Sequence, residues 1–389
     1  MELNRYLTPF VAEDLQSKMV FIGGARQVGK TTLAKDLVSH KFSNTRYYNW
    51  DNPLDRKQLK GLVLPGENSL LILDEIHKYR TWKGFVKGIY DSYKEKYNII
   101  VTGSARLNIY RKGGDSLQGR YHYYTLHPFS LAEVENLSLQ TIPGEALEFR
   151  QGSRENLEAL LKFGGFPEPF VGQNERTLRR WQNERLERLF REDIRDTESI
   201  RDIMSMKLLG DLLPEKASGP LSINNIAEDL EISHRAVTNW LNILEQFYYH
   251  FRVYPYNSKK IRSLKKESKL YIYDWSQVQG EGERFENLIA AHLLKFVNFL
   301  VESQGFKLDL FYLRNVDKKE VDFLVTYNNR PWFSVEVKLS DTTPSKNIAF
   351  FRERLNIPYN YQVVLKKDVD LLNDGIRVLS ADKFLTALI

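Results

Sequence analysis

The stretch Lys18–His40, KMVFIGGARQVGKTTLAKDLVSH, decides how the first part of the chain folds. Met19–Ile22 are a short apolar run, the pattern of a strand buried on both faces of a parallel sheet. Gly24-Ala25-Arg26-Gln27-Val28-Gly29-Lys30-Thr31 then matches the G-x-x-x-x-G-K-[ST] phosphate loop. Leu33, Leu37 and Val38 recur at helical spacing, so the loop lies between a strand and a helix, as the motif requires. Glycines let successive backbone N–H groups curl inward towards phosphate oxygens, and the positive end of the next helix adds to the field. Lys30 offers a point charge to the β- and γ-phosphates, and Thr31 a hydroxyl for Mg2+. The expected nucleotide cradle runs from Gly24 through Thr32.

Further along, Ser69–Leu73 form a second, mostly apolar strand that ends in Asp74-Glu75. Acids at that position sit at the carboxyl edge of the sheet, where ligands of open α/β sheets bind. Asp74 is expected to hold Mg2+, directly or through water, and Glu75 to polarise the attacking water. A third strand, YNIIVTGSARL, ends in Thr102-Gly103-Ser104. Ser104, or Thr102, is placed to sense the γ-phosphate or aim the water. Arg106 and Arg120 are candidates to stabilise γ-phosphate charge, in cis or across a subunit interface, and Arg26 is a weaker one. There is no Asn-Lys-x-Asp motif for reading guanine, so ATP is preferred over GTP.

At 389 residues the chain has room for two to four domains. A composition of 42% hydrophobic and 27% charged residues allows a sizeable core, which argues against disorder. The net charge of +6 permits nucleic-acid contact without demanding it. With no cysteine, disulfides, thiolate zinc sites and thiol catalysis are excluded. The first residues lack an apolar signal core, and no run of 18 apolar residues exists, so a cytoplasmic protein with no membrane span is expected.

From about His127 the pattern turns helical, with a fixed turn at GGFPEP (Gly164–Pro169). Helices after a nucleotide-binding sheet suggest a lid. Ser222 and Ser233 then cap two short helices joined by a tight turn, the pattern of a helix-turn-helix. A stretch with six Lys or Arg against one acid, Ser258–Lys269, stands where the wing of a winged helix would be. Arg235, Thr238 and Asn239 are the residues expected to face a DNA groove. Lys259, Lys260 and Arg262 are expected to meet phosphates.

The hairpin EVDFLVTYNNRPWFSVEVKL, Glu320–Leu339, carries charge where a core strand should be apolar. Period-two geometry puts Glu320 and Asp322 on one face, and Ser334, Glu336 and Lys338 on one face of the next strand. Two carboxylates about 4 Å apart repel by about 4 kcal/mol at an effective dielectric of about 20, so a divalent cation or a lysine must offset them. Asp322 and Glu336 holding Mg2+ or Mn2+, with Lys338 orienting water, would suit phosphodiester hydrolysis. The plainer alternative is a solvated strand in which Lys338 neutralises Glu336.

Taken together, GARQVGKTT, LLILDEIHKYRTWKGFVKGIYD, IIVTGSA, LQGRYHYYTLHPFSLAE, FGGFPE, KLYIYDW, FENLIA and EVDFLV…FSVEVKLS make nearly the whole chain resemble one large family. These are bacterial and archaeal AAA-type ATPases whose C-terminal half is a domain of unknown function with a restriction-endonuclease-like, PD-(D/E)XK fold. The resemblance implies an α/β P-loop AAA-type core (1–127), a helical lid (128–205), a winged helix (206–275) and an α/β PD-(D/E)XK nuclease-like domain (276–389). It implies ATPase roles for Lys30, Thr31, Asp74 and Glu75. It also matches Glu286, Asp322, Glu336 and Lys338 to the nuclease-like signature, with Glu286, Asp322 and Glu336 as ligands of a second Mg2+ or of Mn2+. After YIYD the family usually has Gly, where this chain has Trp275-Ser276. The expectation is an ATP hydrolase used as a conformational switch coupled to DNA, its end domain either a Mg2+-dependent nuclease or a binding module derived from one, with a homo-oligomer among its expected states. The alternative is a switch gating protein assembly, with the end domain inactive.

Overall fold

The computed structural model describes residues 4–107, 117–194, 202–256 and 267–389. They form two compact units: residues 1–127, 183–201 and 246–248 make the first, and the rest make the second. The first is built on five parallel strands: β1 (Met19–Gly23), β2 (Thr45–Asn49), β3 (Ser69–Asp74), β4 (Tyr97–Gly103) and β5 (Tyr121–Thr125). Their spatial order is β2-β3-β4-β1-β5. Every residue of β1 and β3 is buried, as their unbroken apolar runs require. Phe21, Leu71, Leu73, Ile99 and Val101 pack against Trp82, Val86 and Ile89 of the helix Trp82–Tyr93. Because all five strands run the same way, their carboxyl ends share one edge. Since β4 lies between β1 and β3, that edge presents the phosphate loop, Thr102–Ser104 and Asp74-Glu75 side by side.

The second unit carries an eight-stranded mixed sheet in the order β12-β13-β11-β10-β9-β8-β6-β7. Its strands are β6 (His250–Pro255), β7 (Lys269–Ile272), β8 (Leu308–Arg314), β9 (Glu320–Tyr327), β10 (Arg330–Lys338), β11 (Tyr359–Val364), β12 (Asp370–Asn373) and β13 (Ile376–Ser380). The β9–β10 hairpin turns at Asn328-Asn329, both left-handed (φ 52° and 62°), a conformation asparagine tolerates. Phe323 pairs with Val335, which brings Asp322 and Glu336 to neighbouring positions on adjacent strands. The long helix Glu281–Gln304 precedes β8 and ends at Gly305. The helix Lys346–Leu355 carries the chain from β10 to the parallel strand β11.

The expected four-part division is not how the chain packs. The helices expected to form a lid divide at Gln182, and those of 128–182 belong to the second unit. Their buried polar groups explain why. Lys295 of the long helix donates to the Pro128 carbonyl (3.3 Å), to Ser130 Oγ (2.8 Å) and to the Glu133 carboxylate. Trp275 Nε1 donates to the Leu160 carbonyl, and Trp332 Nε1 to that of Glu145. The expected helix pair is present, Ile223–Asp229 and His234–Gln246, and the hydroxyls of Ser222 and Ser233 accept from the N–H groups of Asn225 and Ala236. Arg235 and Asn239 are exposed, while Thr238 Oγ1 donates to the His234 carbonyl. The strands that follow, β6 and β7, do not close a separate winged domain. They pair with each other and join the large sheet where Tyr254 meets Phe311. Lys259, Lys260 and Arg262 lie outside the described residues. No described helix is long and apolar enough to cross a membrane.

The Lys295–Glu133 pair is almost fully enclosed, its side chains 2% and 1% exposed. Removing one partner strands the other charge, which costs about 3–5 kcal/mol, whereas apolar replacement of both costs far less. Lys295→Met is therefore expected to lower the chemical-unfolding midpoint sharply, and adding Glu133→Leu to restore much of it. Equal midpoints for parent and single variant would show that the pair is not a buried ion pair.

Candidate active site

The phosphate loop follows β1 directly, and its backbone takes positive φ at Gly24 (152°), Gln27 (63°) and Gly29 (100°). A Cβ on Gly24 would stand 2.5 Å from the Leu126 carbonyl oxygen, so only glycine fits there. Lys30 is buried, and its ammonium donates to the loop's own carbonyls at Gly24 and Ala25, both at 2.9 Å. Burial pulls its pKa below the ordinary value, against the pull of Glu75 and Asp74. Ala25 and Val28 are buried, Arg26 and Gln27 half-buried, and Thr32 exposed.

Asp74, at the end of β3, is held on both oxygens. Oδ2 accepts from Thr31 Oγ1 (3.1 Å) and Tyr47 OH (2.7 Å), and Oδ1 accepts from Thr102 Oγ1. Burial, with Asp74 as acceptor, pushes the Tyr47 pKa up, so the phenol stays a donor. Glu75 is left-handed (φ 56°), a conformation that costs a non-glycine residue about 1–2 kcal/mol. Its N–H donates to the Thr102 carbonyl, and Oε2 accepts from Ser104 Oγ at 3.2 Å, with His77 Nε2 at 3.5 Å. Burial lowers the His77 pKa, so that imidazole is neutral near pH 7.

The three arginines lie apart. Arg26 is paired with Glu192 (2.6 Å) and Asp193 (2.8 Å). Arg106, just past β4, is exposed, with its guanidinium 5.7 Å from the Tyr248 ring centre. Arg120 is not brought to the loop. It precedes β5, its carbonyl accepts from Met19 N–H at the start of β1, and Asp91 holds its guanidinium at 2.7 Å. Five strand residues, about 15 Å, separate that edge from the loop. In-cis contact between Arg120 and a bound γ-phosphate is therefore excluded by strand direction.

In the second unit Glu286, Asp322, Glu336 and Lys338 converge, together with a residue the pattern did not flag. Lys269, on β7, places its ammonium 2.8 Å from Glu320 and 3.2 Å from both Glu286 and Asp322. Burial works against the charged ammonium, but Asp322, Glu286 and Glu320 outweigh it and hold the Lys269 pKa above its ordinary value. Tyr271 OH donates to Glu286 (2.8 Å), and the other Asp322 oxygen accepts from Val337 N–H (2.9 Å). Lys338 sits 2.9 Å from Glu336. Burial, reinforced by Asp322, pushes the Glu286 and Glu336 carboxyls above their usual range. Among the described residues no three acid or histidine side chains are arranged to hold a metal ion. The expected Mg2+ or Mn2+ site thus does not fit this arrangement, because an ammonium already stands among its acids.

Three family models match successive parts of the chain, the first being the AAA domain over residues 16–135. This part of the chain is an AAA domain, a P-loop ATPase domain. Residues 154–278 and 281–384 match two domains of unknown function, DUF8612 and DUF4143. An uncharacterised protein of Methanocaldococcus jannaschii is 26% identical over 389 residues, covering 94% of this chain and 82% of its own length. One of Haemophilus influenzae is 21% identical over 332 residues, 78% of each chain. Thermotoga maritima RuvB, a Holliday junction branch migration motor, gives a TM-score of 0.32 at 16% identity, over 67% of this chain and 94% of its own. That likeness is too low to bear on fold or function here.

Several residues around the AAA domain's site escaped the sequence pattern. Arg5 donates to the Val28 carbonyl inside the loop (2.6 Å) and to that of His127, pinning the loop from a segment that precedes the matched residues. Asp193 also comes from outside them. Burial raises its pKa to about 6, with Arg26 working the other way. An unfolded aspartate gives up its proton near about 3.9. Between those values folding takes up a proton, so this group makes stability fall as pH rises. Asp193→Asn should flatten that part of the curve, read as the difference between variant and parent unfolding midpoints at pH 4 and pH 6.5. A difference that does not change with pH would show that Asp193 is ionised in the folded chain.

Proposed function

We propose that the chain hydrolyses ATP at the carboxyl edge of the five-stranded sheet and uses turnover as a conformational switch coupled to nucleic acid. The observation that carries the ATPase assignment is the joined set of loop, Lys30, Thr31 and Asp74. The loop has positive φ at three positions, Lys30 is buried against it, and Thr31 is bonded to Asp74 at 3.1 Å. In this reading the loop N–H groups and Lys30 bind the phosphates of ATP. Thr31 and Asp74 would hold Mg2+, which when bound neutralises phosphate charge. Tyr47 and Thr102 fix the Asp74 carboxylate, so its direction is set before nucleotide arrives. Glu75 takes the proton of the water that attacks the γ-phosphorus, and the bond to the β-phosphate oxygen breaks. Ser104 holds Glu75 in place, with the His77 ring beside it. In this reading Arg106, or an arginine from a second copy, meets the developing charge.

Two features support coupling to nucleic acid: the basic run Lys259–Lys266, which leaves out the buried Lys269, and the exposed Arg235 and Asn239 on the second helix of the helix pair. The order helix, three antiparallel strands, helix, parallel strand, with acids on β9 and β10, supports a PD-(D/E)XK-derived end domain. We assign that domain to binding and derive no hydrolytic step in it, since its acids enclose Lys269.

Glu75→Gln is expected to retain ATP binding while turnover falls by about 10²-fold or more. Unchanged turnover would place the base elsewhere. DNA is expected to stimulate ATP turnover, with a stimulation that weakens as salt is raised. It should be lost when Lys259, Lys260 and Arg262 are changed to Glu. Turnover indifferent to DNA at low salt would favour a switch gating protein assembly instead.

A further inference from the structure

The acid cluster of the end domain raises a question that the ATP site does not touch: what neutralises it. Three carboxylates, Glu286 of the long helix and Glu320 and Asp322 of β9, point at one spot. The Lys269 ammonium fills it, with its side chain 3% exposed. An ammonium has three N–H donors and no acceptor. Here each acid takes one contact, at 2.8, 3.2 and 3.2 Å. Those are hydrogen-bond lengths, longer than the roughly 2.0–2.6 Å at which oxygen ligands hold Mg2+ or Ca2+. Two of the acids are engaged on both oxygens, Asp322 by Val337 N–H and Glu320 by Arg314 at 3.6 Å, and Tyr271 OH shares with Lys269 the same oxygen of Glu286, Oε1. Lysine on a short, enclosed strand is otherwise a poor choice, because its charge must be paired wherever it is buried.

One buried oxygen beside the cluster stands without a donor. Glu336 is 4% exposed; Lys338 reaches Oε1, but Oε2 is buried and has no hydrogen-bond partner among the described residues. A buried carboxylate oxygen with no donor, beside Asp322, marks a place where positive charge is in demand. Lys269 also comes from residues 154–278, whereas the acids lie within 281–384, so the cation is delivered by a different segment from the one that carries the signature.

We propose that Lys269 is the resident cation of this cluster, and that a divalent ion binds Glu286 and Asp322 only where that ammonium has been removed. The end domain then keeps the acidic outline of a metal site while its centre is closed by a lysine. Vacating the centre leaves Glu286 and Asp322 without their shared ammonium, while Lys338 stays on Glu336 Oε1, so the position between them is open to a cation from solvent.

The test is Mn2+ binding by the full chain without nucleotide, counted by electron paramagnetic resonance of the free ion. Parent and Asp322→Asn are expected to bind the same number of ions, any ion at the ATP site being common to both. Lys269→Met is expected to bind one more Mn2+ per chain than the parent, and Lys269→Met with Asp322→Asn to lose it again. A parent that binds one more ion than Asp322→Asn would overturn the proposal, and so would a folded Lys269→Met that gains none. If Lys269→Met does not fold, the comparison of parent with Asp322→Asn still decides. ATP turnover in the same preparations reads the ATPase assignment separately, so either can fail alone.

Discussion

The first unit depends on the placement of β4 between β1 and β3. Neighbouring strands lie about 4.8 Å apart, so the loop after β1 and the acids after β3 stand about 10 Å from each other. Thr31 reaches across that span to Asp74 at 3.1 Å, while the strand ends themselves stay far enough apart for a phosphate chain with its metal. Thr102 and Ser104, on the strand between, reach sideways to Asp74 and Glu75. Parallel pairing makes this possible, because it sends every carboxyl end to the same edge. The same pairing carries Arg120 to the opposite edge. Strand direction thus selects which of the charged residues in this unit can meet a nucleotide.

What the sequence revealed was local. The phosphate loop, Asp74-Glu75 and the Asn328-Asn329 hairpin declare themselves within a few residues, because glycine, apolar runs and turn chemistry act over that range. The residues missed depend on long-range contact. Arg5 meets His127, 122 residues away, and Asp193 meets Arg26 over 167. Lys269 is 53 residues from Asp322 and sits at the end of a basic run, where a lysine reads as solvated. The helices of 128–182 carry ordinary amphipathic patterns that say which face is buried but not against what. Long-range contacts, among them those of Lys295, Trp275 and Trp332, assign them to the second unit.

The two units handle negative charge differently. In the second, the acids are neutralised by fixed protein cations: Lys269, whose side chain is buried, and Lys338, which meets Glu336 from a half-exposed position. In the first, the cations at the site are partly engaged by groups that a ligand can replace. Lys30 donates to two loop carbonyls, which is a weak claim on an ammonium. Arg26 is engaged by two acids, and one of them, Glu192, is half exposed.

That engagement of Arg26 would make the phosphate loop part of an ion exchange if a bound phosphate reached the guanidinium. Glu192 and Asp193 belong to the segment Leu189–Ile194, which continues the helix Glu175–Arg188. A phosphate that takes the guanidinium must displace those carboxylates, because one planar fork does not serve three anions at full strength. The free energy of that displacement is subtracted from nucleotide affinity. By reciprocity it is returned to the helix, which is held less firmly when the loop is loaded. Were the phosphate to take Arg26 in this way, occupancy of the loop would be written into the tension on a helix that contains no nucleotide ligand.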